Sequence, residues 1–474
     1  MQTTMTATTP LRQMNELPGP RPWPLLGNLP QMRPLRIHQD VEAWSRQYGP
    51  LFKISFGKTP LLVVADHELV NTVLRDRPDG YRRPALTESV ALEMGGRTGV
   101  FMAEGAVWRN QRRMVMTALA PHAVKAYFPS LVSVVLRLQK HWQQAARTGK
   151  EIDLAEDLKR YSVDIIAGLA FGTAVNTIDG GEDVIQRHMD VVLPAIARRS
   201  IALFPYWRYF KLPRDRHLDA CLAELNKAVD ELIANARTRL EAEPARREHP
   251  ANLLEAMICA ADEGGSGVDD VAVAGNVTTM LLAGEDTTSN SLAWMLYLLQ
   301  QNPDTLRKAR EEVLRVAPDP GAFTIEQMDG LDYLEACAQE AMRLKPVAPF
   351  MPMESLRDNV VGDVQVPKGG LLWCVMRNNS VSDQYVPDAA DFKPERWLPG
   401  SVPAVNKHLS IPFGSGVRTC PGRYLALLEI KLASAMLLSS FDIQSIATMD
   451  GKDAEELMGF TMSPIGLQMR LQHS

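Results

Sequence analysis

The feature that most limits what this chain can fold into is a helix-patterned stretch over residues 269–301. At 1.5 Å per residue it spans roughly 50 Å, enough to cross a whole domain. Asn302-Pro303 closes it and caps the next helix. Helical patterning dominates residues 67–301, with the clearest signals at 131–147, 154–171, 217–242 and 252–261. β-rich runs are confined to 51–65, a hairpin around Gly57-Lys58-Thr59-Pro60, and to 360–367 and 371–376. A loop-rich stretch, 379–416, precedes a last long helix from Pro421 to about Ser440. The expected class is mainly α with small β-sheets (α+β). It forms one domain over 18–474, with β-rich regions near 51–65 and 350–376 and a flexible N-terminal tail over 1–17. No repeat, low-complexity segment or linker divides it.

Charge and cysteine usage remove several function classes. The net charge is -5, with no basic excess that points to nucleic acid. No run of 18 apolar residues exists, so no membrane span is expected, and 1–17 lacks the basic start and apolar core of a signal peptide. The five cysteines, Cys221, Cys259, Cys337, Cys374 and Cys420, are odd in number and widely spaced, without a CxxC. A disulfide framework or a zinc ribbon does not fit, and a reducing cytosol does. The Gly57-Lys58-Thr59 run is not a phosphate loop, because the glycine required upstream is replaced by Phe52.

The most informative segment is FGSGVRTCPG, Phe413 to Gly422. Gly414, Gly416 and Gly422 permit tight turns and the close approach of a flat ligand. Arg418 can pair with an anion. Cys420 precedes a helix, where unpaired N–H groups and the dipole favour a thiolate. A lone thiolate suits the axial position of a haem, although most single cysteines are inert packing. Three further patterns accompany it: Glu340-x-x-Arg343, the segment FKPERW containing Arg396, and Trp108-x-x-x-Arg112. Alone, each reads as an ordinary helix pair or a basic helix with a core tryptophan. In the middle of the long helix stands AGEDTT, residues 283–288, where Gly284, Asp286 and Thr287 are poor helix formers between apolar flanks. A local rule broken there points to function.

Phe413, Gly416, Arg418, Cys420 and Gly422 together resemble the FxxGxRxCxG signature of the cytochrome P-450 family. The other motifs follow in that family's order, the proline-rich LPGPRPWPLLG is similar to its N-terminal hinge, and the likeness covers nearly all of the chain after residue 17. The resemblance implies haem b (iron protoporphyrin IX) with Cys420 as the metal ligand. Trp108, Arg112, Arg418, Phe413, Gly414 and Gly422 would bind the cofactor. Glu340, Arg343 and Arg396 would form a buried structural triad. By the same resemblance Gly284 leaves room for dioxygen, while Thr287 and Asp286 supply protons. Helical spacing places Asn276, Met280, Ala283 and Thr287 on one face. The resemblance adds Phe101, Met102, Val347, Phe350 and Phe460 to an apolar substrate pocket, with Asn276 its one polar handle.

Two departures touch the haem periphery. Met353 stands where many members carry a basic propionate ligand, with Arg357 following, and Val381, Ser382 and Asp383 replace the usual triplet before FKPERW.

The implied enzyme is a soluble, cytoplasmic, monomeric monooxygenase acting on an apolar small molecule and dioxygen. The chain shows no flavin, dinucleotide or iron–sulfur fingerprint, so a separate ferredoxin or flavodoxin with its reductase is expected to deliver electrons from NAD(P)H. These acidic partners would dock near Arg112, Arg113, Lys407 and Arg423. A peroxygenase is disfavoured by the intact Asp286-Thr287 pair. A haem gas sensor lacks its output domain, and a cofactor-free helical protein would show no Soret absorbance.

Overall fold

The computed structural model describes residues 10–172, 176–180, 184–200, 202, 204–401 and 406–473. The chain partitions into two compact units.

The smaller unit comprises residues 1–85, 348–389 and 407–419. Its centre is a five-stranded sheet in the order Leu51–Phe56, Thr59–Val64, Leu371–Val375, Phe350–Ser355, Tyr81–Arg82. The first two strands form the hairpin anticipated from the sequence. Thr59–Val64 then runs parallel to Leu371–Val375, which pairs antiparallel with Phe350–Ser355. Leu62, Val64, Leu372, Cys374 and Met353 meet in one core. Met353 is fully buried there, so it fills the core rather than standing in for a basic ligand. Arg357 is held by Asp76 at 2.9 Å, and Asp383 accepts the Ala389 N–H at 2.8 Å.

The tail requires a correction. Arg12–Gln13 adds a parallel strand to Val364–Val366, Arg12 pairs with Asp363 at 2.7 Å, and Met14 and Leu17 are buried. Residues 10–17 are therefore docked, because a free sheet edge and two apolar side chains hold a segment whose composition reads as polar. Residues 1–9 lie outside the described residues.

The larger unit comprises residues 86–347, 390–406 and 420–474 and carries the long helices. The central helix, Asp270–Gln301, is capped by the Asp269 side chain, which accepts the Ala272 N–H at 2.8 Å. Helix Leu154–Phe171 packs along it and matches the sequence reading residue for residue. Elsewhere the boundaries differ for definable reasons. The 131–147 signal lies inside Pro121–Thr148, which carries Pro129 in its interior. The 217–242 signal begins earlier, at Pro213, in the first-turn position that tolerates proline. The last helix is Arg423–Ser440, starting two residues after Pro421. Almost all of Leu425 to Leu438 is buried, as a helix apolar on every side should be.

Gly284 owes its place to packing. A Cβ there would stand 2.5 Å from Ile166 Cδ1 on helix Leu154–Phe171. The helix-propensity cost of about 1 kcal/mol is offset by the close approach of two buried helices.

Candidate haem-thiolate site

Residues 413–418 belong to the smaller unit and Cys420 begins a segment of the larger one. Gly414 and Gly416 adopt φ of 76° and 73°, a left-handed backbone that favours glycine. Gly416 also abuts helix His67–Arg75: a Cβ would meet Arg75 Cα at 2.9 Å. Arg75 Nε donates to Ser415 Oγ at 3.2 Å, fixing the loop further. Arg418 closes a short 3-10 turn, Gly416–Arg418, and is half-buried, as is Phe413.

Cys420 is reached by solvent, yet burial is the largest influence on it and pushes its thiol up. The Gly422 backbone N–H and the charges of Arg112 and Arg423 pull the other way without prevailing. The helix start favours the thiolate as expected, but the cysteine precedes the helical N-cap, Gly422, and burial is the larger influence on the free thiol. A bound cation reverses that balance. Gly422 lies beside the sulfur: a Cβ there would make ordinary van der Waals contact with Sγ at 3.9 Å. Trp108 is buried and Arg112 half-buried on helix Gly105–Ala118. Burial lowers the Arg112 pKa, while the neighbouring Cys420 raises it, which places the guanidinium within electrostatic reach of the thiol. Among the described residues no cluster of His, Cys, Asp and Glu could hold a bare metal ion. The donor set, one accessible thiol beside a desolvated arginine, therefore fits a metal that brings its own planar ligands, as haem does.

Glu340 on helix Asp332–Leu344 is fully buried and takes five hydrogen bonds. Arg343 gives two, at 2.8 and 2.7 Å. The Lys393 N–H (3.1 Å), Arg396 Nε (3.3 Å) and Trp397 Nε1 (2.8 Å) give the others. Arg343 also reaches Asp391 O at 3.1 Å. The triad forms as the motif implies, with Trp397 as a further donor. Its only sequence signal was the indole at the end of FKPERW.

Along the central helix Ala283 is the only exposed residue between 272 and 300. Met280 and Thr287 beside it are half-buried, as are Thr278, Thr279, Leu282, Gly284, Asp286 and Asn290. Thr287 Oγ1 donates to Ala283 O at 2.6 Å. Asp286 lines a cavity of about 390 Å³ together with Lys159, Glu156, Asn290, Phe460 and Thr461. Lys159 pairs with the buried Glu285 at 3.3 Å, a contact that sequence reasoning missed because nothing in the spacing links residues so far apart.

The pocket residues divide. Phe101 and Phe460 meet with ring centroids 6.3 Å apart. Met102 and Val347 are half-buried, and Val347 O accepts the Met462 N–H at 2.8 Å. Phe350 belongs to the smaller unit, where it stacks on Trp373 at 4.9 Å. Asn276 is a correction. It is wholly buried, accepts the Val100 N–H at 2.8 Å and donates to Ala272 O at 2.7 Å. It ties residues 98–100 to the helix and is no polar handle. A Cβ on Gly99 would overlap Gly275 O at 2.3 Å, so this crossing leaves no room for substrate.

The comparisons with known proteins agree with this geometry. The cytochrome P450 family model matches residues 17–471. The protein LUTEIN DEFICIENT 5, chloroplastic, of Arabidopsis thaliana is 30% identical over 84% of this chain and 68% of its own length. A self-sufficient cytochrome P450 monooxygenase of Oidiodendron maius (strain Zn) is 30% identical over 92% of this chain, which spans 40% of that longer protein. A cytokinin hydroxylase of Arabidopsis thaliana is 27% identical over 96% of this chain and 90% of its own. With the family model covering the chain almost end to end and its motifs assembled as above, this chain belongs to the cytochrome P450 family of haem-dependent monooxygenases.

Proposed function

We propose that Cys420 would be the thiolate ligand of haem b, and that Thr287 and Asp286 would handle protons for the reaction. The chain would insert one atom of dioxygen into an apolar small molecule by hydroxylation or epoxidation. The observation that carries this reading is Ala283, the one exposed residue between 272 and 300 of the central helix, with Thr287 half-buried one turn on. When bound, the haem supplies dioxygen activation, favoured by electron density from the thiolate.

This chain's own residues do the rest. Trp108, Arg112 and Arg418 would hold the propionates, the planar guanidinium being matched to a carboxylate. Phe413, Gly414 and Gly422 shape the loop around the sulfur. Met102, Met280, Ala283, Val347 and the Phe101–Phe460 pair present apolar surface to a substrate and exclude water. Asp286, on the wall of the 390 Å³ cavity, can exchange protons with solvent and pass them toward the Thr287 hydroxyl. Gly284 faces Ile166 on helix Leu154–Phe171, so its role would be the packing of the central helix rather than room for dioxygen.

Electrons would come from NAD(P)H through a separate ferredoxin or flavodoxin and its reductase. Arg113, Lys407 and Arg423 are exposed and of the right sign for an acidic carrier. The free thiols of Cys221, Cys337 and Cys374 favour a reducing cytoplasm. Among the described residues no single helix is long and apolar enough to cross a membrane.

A carbon monoxide difference spectrum of the reduced protein tests the assignment. Wild type should give the band of a thiolate-ligated haem, and Cys420→Ala should lose it together with all product. Retention of that band in Cys420→Ala would reject the sulfur as ligand. Spin-state shifts across a panel of apolar ligands then locate the substrate class.

A further inference from the structure

The two loops that carry the facing rings of Phe101 and Phe460 hang from one helix. Asn276 Oδ1 accepts the Val100 N–H at 2.8 Å, and Asn290 Nδ2 donates to Thr461 Oγ1 at 3.0 Å. Both asparagines belong to the central helix, with Ala283 midway between them in sequence. A straight helix drifts only ~20° over each heptad, so all three lie along one side. At 1.5 Å per residue the stretch 276–290 covers about 21 Å. The rings then meet, their centroids 6.3 Å apart. Helix, first loop, ring pair and second loop form a closed frame, and the exposed Ala283 stands at the middle of its helical side.

Both loops are stiff. Arg97 gives two bonds, at 2.5 and 2.8 Å, to Asp230 on helix Pro213–Ala242. Gln111, itself buried, donates to Thr98 O at 2.9 Å. A Cβ on Gly275 would stand 2.7 Å from Thr98 O, so this stretch lies flat on the helix. The Met102 and Ala103 N–H groups both return to Gly99 O, at 3.0 and 2.9 Å, and Phe101 sits inside that closed turn. On the other side the Gly459 N–H donates to Thr461 O at 3.0 Å, closing a turn around Phe460. Trp294, again on the central helix, donates to Met462 O at 3.4 Å. The rings are tilted by 54° at 6.3 Å. A third ring between them would need about 4.5 Å to each neighbour, more than that gap allows.

We propose that Asn276 and Asn290 are positioning residues for specificity, which fix the spacing of Phe101 and Phe460 so that the ring pair acts as a rigid bar. The bar excludes bulky, branched molecules and admits slender or flat apolar ones. This rests on the reading above that the two rings border the substrate pocket. Asn276 acts through the loop alone, since it is wholly buried and both ends of its amide are taken by backbone groups. A buried Val100 N–H deprived of its acceptor keeps its full desolvation penalty, so the loop cannot cheaply change partners.

Two measurements on the full-length holoenzyme test this: Soret titration with imidazole and with 1-tritylimidazole, and amide hydrogen exchange without ligand. Asn276→Leu should raise the affinity for tritylimidazole relative to imidazole by about two- to tenfold, the worth of one hydrogen bond. Exchange across residues 97–103 should quicken by a similar factor. Asn290→Leu should shift the probe ratio the same way and quicken exchange at 459–462. Asn276→Asp, which keeps the acceptor for the Val100 N–H, should stay near wild type. In a Phe101→Ala background the further change Asn276→Leu should leave the ratio where it is, whereas a merely structural asparagine would act with or without the ring. Should Asn276→Leu fail to fold, Arg97→Gln loosens the same loop from its solvent side and should move the ratio and the exchange in the same direction. Unchanged ratio and exchange in the loosened proteins, or an undiminished effect without the Phe101 ring, would overturn the proposal. Loss of the carbon monoxide band in wild type would instead overturn the haem reading, and the exchange data would still judge the frame.

Discussion

Glu340 shows how a buried charge is made tolerable and why its loss would be severe. Its carboxylate is surrounded by donors from two segments, and Arg343 beside it is only 1% exposed. Glu340→Gln should leave Arg343 without its counter-charge and destabilise the fold by about 3–5 kcal/mol, read as a lower thermal midpoint and haem loss on dilution. Thr287 belongs to the same scale. Thr287→Ala should retain haem and reductant consumption while product per reductant falls and peroxide rises, and unchanged coupling would remove Thr287 from the proton path. The sequence made Glu340, Arg343, Arg396 and Cys420 legible because each sits in a motif of fixed spacing. Asn276 was misplaced because helical spacing assigns a face without saying what covers it. The same face is closed by residues 98–100 at Asn276 and open at Ala283.

Between elements, the packing of helix Leu154–Phe171 against the central helix depends on a missing methyl group. Gly284→Ala would drive a Cβ to 2.5 Å from Ile166 Cδ1, an overpacking cost of about 1–3 kcal/mol. Ile166→Ala in the same protein should restore most of that stability. If stability returns but coupled product does not, Gly284 acts at the oxygen site as well as in the packing, and denaturant unfolding beside product assays separates the two roles. The helices were readable from their apolar period, and the hairpin 51–65 from its β-rich runs. Their ends were less so, since Pro129 reads as a breaker yet sits inside Pro121–Thr148. Long-range strand pairing, such as Thr59–Val64 with Leu371–Val375, has no local signature at all.

For the molecule as a whole, buried carboxylates set the acid limit. Burial pushes Asp215 up, but Arg199 at 2.8 Å, the Leu212 N–H and Tyr206 together hold it below its ordinary value. Glu255 is depressed likewise: burial is opposed by Arg246, the Ala251 N–H and Arg239. A depressed folded pKa stabilises at pH above the unfolded value, near ~4 for these groups, and that contribution disappears as pH falls through the lower folded value. Asp215→Asn and Glu255→Gln should each cost on the order of 3 kcal/mol at neutral pH. Their deficit against wild type should shrink through the acid range, followed by thermal midpoints across pH. A deficit independent of pH would trace the loss to packing rather than charge.

The Thr287 hydroxyl donates to the Ala283 carbonyl one turn back, as Thr278, Thr279, Ser289 and Ser291 do to theirs. A hydrogen committed to its own backbone is not offered to passing water, so the helix holds it in reserve. If Thr287 serves the proposed proton path, it would turn outward only for an acceptor stronger than a peptide oxygen, and a polar hydroxyl could then sit beside apolar molecules without leaking protons between turnovers.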